Sequence, residues 1–344
     1  MTRMTPLFRG VAAGAVAALL GSAAWAQDVT LKMHQFLPGQ AVVPTQVLDV
    51  WADRVQEQSD GRIKVDHYPA MQLGGKPPEL VDQVIDGVAD VIWTVTGYTP
   101  GRFPRSEAFE QPFTMTNAED TSRAYWEYVE KNMLDQDFKD MHIIAVWVHG
   151  PGLIHSKEPV SSVGDLNGVK LRAPTRVTNK LFTDLGATPV GMPVPAVPEA
   201  LSKGVIDATV IPWEVTTALK VSELVGNHTE FGDNSLYTTT FIFAMNKDKY
   251  ESLPDDLKAV IDANSGAEFS AFAGKVMQDA DAPARKIAVD RGNTIIELSE
   301  EQVQEWKDAA AGVETWWVEE QTAAGLNAQE LLDEAKALIK AHSE

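Results

Sequence analysis

The apolar positions of the chain switch between two periods. Across Asp28 to Phe36, Val29, Leu31 and Met33 recur at every second residue, the repeat of a half-buried strand. From Val43 to Gln58 the repeat lengthens, and Val47, Trp51 and Val55 share one helical stripe. Gly61-Arg62 turns the chain, and Ile63 to Tyr68 alternates again. Pro78 to Asp86 has helical spacing through Leu80, Val81, Val84 and Ile85. Gly87 stops it, and Ala89 to Thr96 has the apolar run of a fully buried strand. A β-α-β-α-β order predicts an open α/β sheet.

The pattern then repeats. Asn117 to Asp140 predicts two helical segments, and Ile143 to His149 a strand broken by Gly150-Pro151-Gly152, with Leu153 to His155 extending it beyond the break. Val169 to Ala173 (strand), Thr175 to Leu185 (helix, stopped by Gly186), Pro189 to Met192 (extended), Ala196 to Lys203 (helix) and Ala208 to Ile211 (strand) form a second α/β run. Tyr237 to Asn246 is a β-rich return segment. Leu253 to Arg291 is helical almost throughout, longer than an ordinary globular helix, and Pro283 inside it predicts a kink. Ser299 to Ala341 is helical too. The fold class expected is α/β, with two lobes, more than one crossover and a ligand cleft between them.

The first residues read differently. Arg3 and Arg9 precede or flank a small apolar run, Gly10 to Ala24, and Ala24-Trp25-Ala26 fits a small-x-small cleavage site. Residues 1–26 are therefore expected to be a signal peptide, cleaved near Ala26 for export to the periplasm. The run is shorter than the ~20 residues a membrane span needs. No other stretch is apolar enough, so no stable membrane insertion is expected.

Cysteine is absent, which excludes disulfides, thiol catalysis and Cys-bound metals. The formal charge of −20 argues against nucleic acid and anionic membranes as partners. An anionic ligand would need a local cation inside that field. G-x-S-x-G, H-E-x-x-H and G-x-x-x-x-G-K-[ST] do not occur, and the seven histidines have no metal-site spacing. No metal and no cofactor is expected. An exported lyase or hydrolase using His149 as base is the alternative from another class.

Gly61-Arg62-Ile63-Lys64-Val65, Tyr68-Pro69-Ala70 and Gln72-Leu73-Gly74-Gly75 resemble the opening signature of the solute-binding proteins of tripartite ATP-independent periplasmic (TRAP) transporters, the DctP family. Gly87-Val88-Ala89-Asp90, Asp165 to Arg172, Leu185 to Pro189 and Ala200 to Asp207 continue the resemblance in order, and Leu253-Pro254 also fits. It implies a two-lobed flytrap with a long helix spanning both lobes, a small organic carboxylate as ligand, and delivery to TRAP membrane subunits. Residues 27–150 with about 237–277 are expected to form one lobe, and 151–236 with about 278–330 the other. Residues 331–344 would be a C-terminal helix or tail, and the protein a monomer.

The resemblance assigns Arg172 a two-pronged salt bridge to the ligand carboxylate, a geometry the planar guanidinium fork suits. Asn179, one helix later, would orient it. Departures from the family's pattern shape the rest. The second arginine of many sugar-acid and dicarboxylate binders is matched by Gly152. A polar position before Pro212 is Ile211, and an aromatic one is Val194. The expected lining is one fixed charge, rings and apolar walls: Phe36, Tyr98, Trp213, Val194 and Ile211, with His34, Thr96 and His149 as polar candidates. Trp93 and Trp147, mid-strand, are expected in the core. One arginine with few other charges predicts a monocarboxylate on an aromatic or bulky apolar body. A short 2-oxo or 2-hydroxy acid, or a C4-dicarboxylate, is the alternative ligand.

Overall fold

The computed structural model describes residues 1–2 and 29–343, so the expected signal peptide lies outside the described residues apart from its first two. The strands are β1 (Val29–His34), β2 (Ile63–Tyr68), β3 (Val91–Val95), β4 (Met141–Val148), β5 (Leu153–Ser156), β6 (Lys170–Ala173), β7 (Thr188–Gly191), β8 (Ala208–Ile211), β9 (Asn227–Glu230), β10 (Thr240–Asn246) and β11 (Thr294–Glu297). They form two sheets. The first is five-stranded, ordered β2-β1-β3-β10-β4, and the second six-stranded, ordered β11-β9-β5-β8-β6-β7.

Each sheet has a parallel heart: β2, β1 and β3 in the first, β8, β6 and β7 in the second. Helices on both faces bury such strands completely, which is why β3, β8 and β10 are apolar runs without alternation. β10 enters the first sheet antiparallel to both neighbours, pairing Phe243 with Trp93 and Phe241 with Trp147. It arrives long after β4, so the chain leaves the first lobe after β4 and returns before β10.

The outgoing crossover is Gly150-Pro151-Gly152, and here the expectation changes. Leu153 to His155 does not extend β4. It begins β5, antiparallel to β8 and β9 in the other sheet. A Cβ on Gly152 would come within 2.2 Å of the Tyr237 ring, so the two crossing strands pass too closely for any side chain there.

Two further expectations are corrected. Asn117 to Asp140 holds one helix, Ala118–Asn132, capped by the Asn117 side chain, followed by turns rather than a second helix. The long pattern from Leu253 to Arg291 is three helices: Asp255–Ala263, Ala267–Asp279 and Asp281–Asp290. Gly266, at φ 94, separates the first two. The second break falls at Ala280, because Pro283 lacks the N–H that would reach the Asp279 carbonyl. This break is a crossover as well. Ala267–Asp279 packs on Ala118–Asn132, whereas Asp281–Asp290 packs on the helix Trp213–Leu219 behind the second sheet. β9 and β11 carry little apolar pattern and gave no signal in the sequence. β11 is an edge strand with exposed ends.

A continuous core runs through both lobes, with Trp51, Trp93, Trp147, Trp306 and Trp317 fully buried. The C-terminal helix Ala328–Ser343 packs back on Ala118–Asn132, and Glu334 accepts hydrogen bonds from Lys131 and Asn132.

Candidate functional site

The cleft lies where strand ends of the two sheets meet around the crossovers. Its first-lobe wall is a stack of rings. Phe36, just past β1, lies parallel to Trp93 at 4.6 Å, and Trp93 lies parallel to Phe241 at 5.2 Å. Tyr98 meets Phe36 edge-on at 5.6 Å. The pairing of β3 with β10 produces this wall, because Trp93 and Phe241 project from the same face of neighbouring strands. The second-lobe wall is Val194, Ile211, Pro212 and Val215, with Arg172 rising from β6. These walls leave a cavity of about 40 Å³ between them.

Arg172 is 2% exposed. Its Nε donates to the Met192 carbonyl at 2.9 Å and Nη1 to the Val210 carbonyl at 3.0 Å, so β8 and the loop after β7 hold the guanidinium in place. Nη2 reaches the Tyr98 hydroxyl only at 3.5 Å. Among the described residues no acid pairs with Arg172, although the chain holds 49 acids against 29 Lys and Arg. A guanidinium has five donors, and those left over find no acceptor among the described residues. Taking such a charge out of water unpaired is expensive, and an anion arriving in the cleft would relieve it.

Tyr98 joins the lobes. Its hydroxyl accepts the Val194 N–H at 2.9 Å across the cleft, and its own hydrogen has no acceptor among the described residues. Burial raises its pKa, so it stays a phenol and a donor. Tyr237 and Thr239, from the return crossover, complete the polar edge.

His149 lines the cleft with both ring nitrogens engaged. Nδ1 donates to the Gly150 carbonyl at 2.5 Å, and Nε2 accepts the Thr239 N–H at 3.1 Å. Burial lowers its pKa to about 4, and the charge on Arg172 pushes the same way. A neutral imidazole whose acceptor nitrogen is already occupied has no lone pair free for a substrate proton, which removes the geometry a His149 base would need.

Phe36, Tyr98, His149, Arg172, Val194 and Ile211 thus come together in one lining. Four expected residues sit elsewhere. His34 lies under the first lobe, its Nδ1 bonded to Gln83 at 2.7 Å and Nε2 accepting the Leu73 N–H. Thr96 is buried behind the wall, bonding the Thr240 carbonyl and the Ser106 hydroxyl, each at 3.2 Å. Trp213 turns away into the second lobe, where it packs against His155 and His228 and donates to Glu230 at 2.7 Å. Asn179 does not touch Arg172; it donates to the Thr175 carbonyl at 2.6 Å and braces the turn after β6. His34, Thr96 and Trp213 end or closely follow a strand, and Asn179 lies within the helix after β6, but position along the chain does not fix which way a side chain faces.

Sequence reasoning missed other lining residues. Trp93 is both core and wall, while Trp147 is core alone. Phe241, Tyr237 and Thr239 belong to the return segment, which no local pattern assigns to the cleft. Glu214 follows Trp213 and enters the lining in its place. Among the described residues no cluster of His, Cys, Asp and Glu could hold a metal ion, and no helix is long and apolar enough to cross a membrane.

The geometry can be set beside known proteins. The family model described as bacterial extracellular solute-binding protein, family 7, matches residues 37–319. A TRAP solute binding protein from Rhodoferax ferrireducens, solved with copurified benzoate, is 50% identical over 92% of this chain and 98% of that chain, with a TM-score of 0.90. A marine metagenome TRAP solute binding protein specific for aromatic acid ligands, solved with 3-hydroxybenzoate, is 50% identical over 93% of this chain and 100% of its own, with a TM-score of 0.91. A third, from Bordetella bronchiseptica with bound mandelate, is 27% identical over 91% and 99%, with a TM-score of 0.83. These are receptors rather than enzymes. The chain belongs to the bacterial extracellular solute-binding proteins of family 7, the DctP family, and is a TRAP-type solute-binding receptor.

Proposed function

We propose that this protein is a periplasmic receptor that closes on an aromatic monocarboxylate and delivers it to TRAP membrane subunits. The observation that carries the reading is Arg172: a buried guanidinium with no partner acid among the described residues, held by two carbonyls beside a wall of stacked rings. A carboxylate on Arg172 would accept the remaining guanidinium hydrogens and the Tyr98 hydroxyl. The attached ring would lie among Phe36, Trp93, Phe241 and Ile211. With Arg172 the one Lys or Arg in the described lining, a dicarboxylate would leave one charge unpaired in a dry cleft, costing several kcal/mol. That structures half identical to this chain hold benzoate and 3-hydroxybenzoate supports the same class.

On this reading residues 1–26 are a cleaved export signal, the protein acts as a monomer, and it releases its ligand unchanged. The lobes are 27–150 with about 237–277, and 151–236 with about 278–330, a division the two crossovers and the break at Ala280 support. The C-terminal helix then belongs with the first lobe, since it rests on Ala118–Asn132.

Thermal-shift screening followed by calorimetry tests the ligand class. Benzoate, hydroxybenzoates and mandelate should raise the melting temperature more than succinate, gluconate or pyruvate. A clear preference for dicarboxylates or sugar acids would refute the assignment. Native mass spectrometry should show one unchanged acid per protein chain.

A further inference from the structure

Glu214 is a carboxyl group in the cleft whose oxygens have no partner among the described residues. It lies in the first turn of the helix Trp213–Leu219, immediately after Pro212 ends the β8 wall. The residue is 2% exposed, and neither Oε1 nor Oε2 has a hydrogen-bond partner among the described residues. Buried polar atoms are nearly always paired, so two orphaned oxygens on one side chain in a ligand cleft point to the ligand. Its backbone holds it there. The Glu214 N–H donates to Asp281 Oδ1 at 2.7 Å, tying the helix to Asp281–Asp290 beside the Ala280 break. Asp281 in turn fills the space over Gly150, where a Cβ would come within 2.1 Å of Oδ2.

The surroundings decide its protonation. No cation pairs with Glu214 among the described residues, and its charged neighbour is another acid, Asp281. Burial, then the nearby Asp281, push its pKa up to about 8. At neutral pH it is mainly a carboxylic acid, which both donates and accepts a hydrogen bond. Arg172 and Tyr98 offer donors that suit the ligand carboxylate, and both nitrogens of His149 are used. Glu214, on the wall formed by β8 and the helix after it, is left to meet the body of the ligand. A hydroxyl is the neutral group that matches a donor and an acceptor at once. An ammonium would require the ionised form that the site disfavours.

We propose that Glu214 determines specificity by hydrogen-bonding a hydroxyl substituent on the ring of the aromatic acid held by Arg172. The proposal rests on the aromatic-acid reading and adds a preference within that class. A ring without the hydroxyl would leave Glu214 unpaired, and a methyl group in its place would do so at equal size. Each such loss is worth about tenfold or more in affinity.

The test is isothermal calorimetry with benzoate and with matched pairs, 3-hydroxybenzoate against 3-methylbenzoate and 4-hydroxybenzoate against 4-methylbenzoate. The wild type should prefer the hydroxyl over the methyl by about tenfold or more in at least one pair. In Glu214→Leu that ratio should fall at least tenfold, and Glu214→Gln, which keeps a donor and an acceptor, should retain part of it. Equal wild-type affinity for hydroxyl and methyl in both pairs overturns the proposal and leaves the receptor assignment standing; this comparison needs no variant to fold. An unchanged ratio in a folded Glu214→Leu also overturns it. A wild type that binds none of these acids overturns both the proposal and the aromatic-acid reading.

Discussion

Replacing Arg172 by methionine keeps an unbranched side chain of similar reach and removes the charge. The guanidinium hydrogens left over by the Met192 and Val210 carbonyls are those available to a ligand carboxylate. Hydrogen bonds to charged groups are worth ~1.5–3 kcal/mol each, so losing a two-pronged pair removes ~3–6 kcal/mol. That corresponds to a Kd weaker by roughly two to four orders of magnitude. Stability should respond differently. The substitution strips two carbonyls of a donor, at ~1–3 kcal/mol each, but it also removes an unpaired buried charge whose penalty is several kcal/mol. The two effects oppose, so the ligand-free melting temperature should move by only a few degrees. The loss appears on adding ligand. At a hundredfold excess over Kd the wild type gains ~2.7 kcal/mol of stability, and Arg172→Met should gain almost none at the same concentration. Arg172→Lys, which keeps the charge but not the fork, should fall between them. Calorimetry and thermal melts with the tightest-binding acid of the panel give both readouts. Binding by a folded Arg172→Met within tenfold of wild type would refute the assignment of the carboxylate to this residue.

Three further outcomes are expected. Gly152→Ala should destabilise by ~1–3 kcal/mol or more, measured by urea unfolding, because the added Cβ meets the Tyr237 ring at 2.2 Å and its carbonyl at 2.6 Å; a neutral result would show that the crossing strands can part. Arg176→Met should cost ~3–5 kcal/mol, because Arg176 bonds both carboxylate oxygens of the buried Glu107 from the other lobe, at 3.1 and 2.6 Å, and Glu107 would keep only Trp317 Nε1 at 2.8 Å; Glu107→Gln combined with Arg176→Met should recover part of that loss. Thermal stability should fall as pH rises from 6.5 to 8.5. Burial raises the folded pKa values of Glu214 to about 8 and of Glu110 and Asp281 to about 7, so the folded state keeps protons that the unfolded chain has released. Their contribution is full below the unfolded values near 4.5 and 3.8 and is lost as pH rises through 7–8. His149 and His228, lowered to about 4 by burial, act in the other direction, losing stability as pH falls from 6.5 toward 4. Above pH 6.5 these perturbed acids titrate without opposition from the two histidines, and Glu214→Gln should make the fall shallower; identical slopes in the two proteins would contradict the buried, protonated Glu214.

Much of the framework is legible as local pattern. Period-two and period-3.6 runs place β1, β2, β3, β6 and β8 and most helices within a few residues, because one-sided burial imposes those repeats wherever an element packs on a core. Arg172 is legible through the ordered motifs around it, and Pro283 announces the break that the structure places at Ala280. β9 and β11 are not legible, since a short strand with mixed polarity has no period to read.

The site divides along the same line. By itself the sequence excluded cysteine chemistry, and its resemblance to a known family assigned Arg172 to a ligand carboxylate and matched the second arginine of some relatives to Gly152. Only the tertiary structure decided which rings face the cleft. Trp213 and Glu214 are adjacent in the chain, yet one side chain fills the second lobe and the other lines the pocket. Phe241 reaches the wall because β10 returns from a distant part of the chain to pair with β3. A turn's direction and a strand's partner are set by contacts made far away in sequence. Those contacts convert a family of possible pockets into one lined by stacked rings, a single guanidinium and a carboxyl group left without a partner.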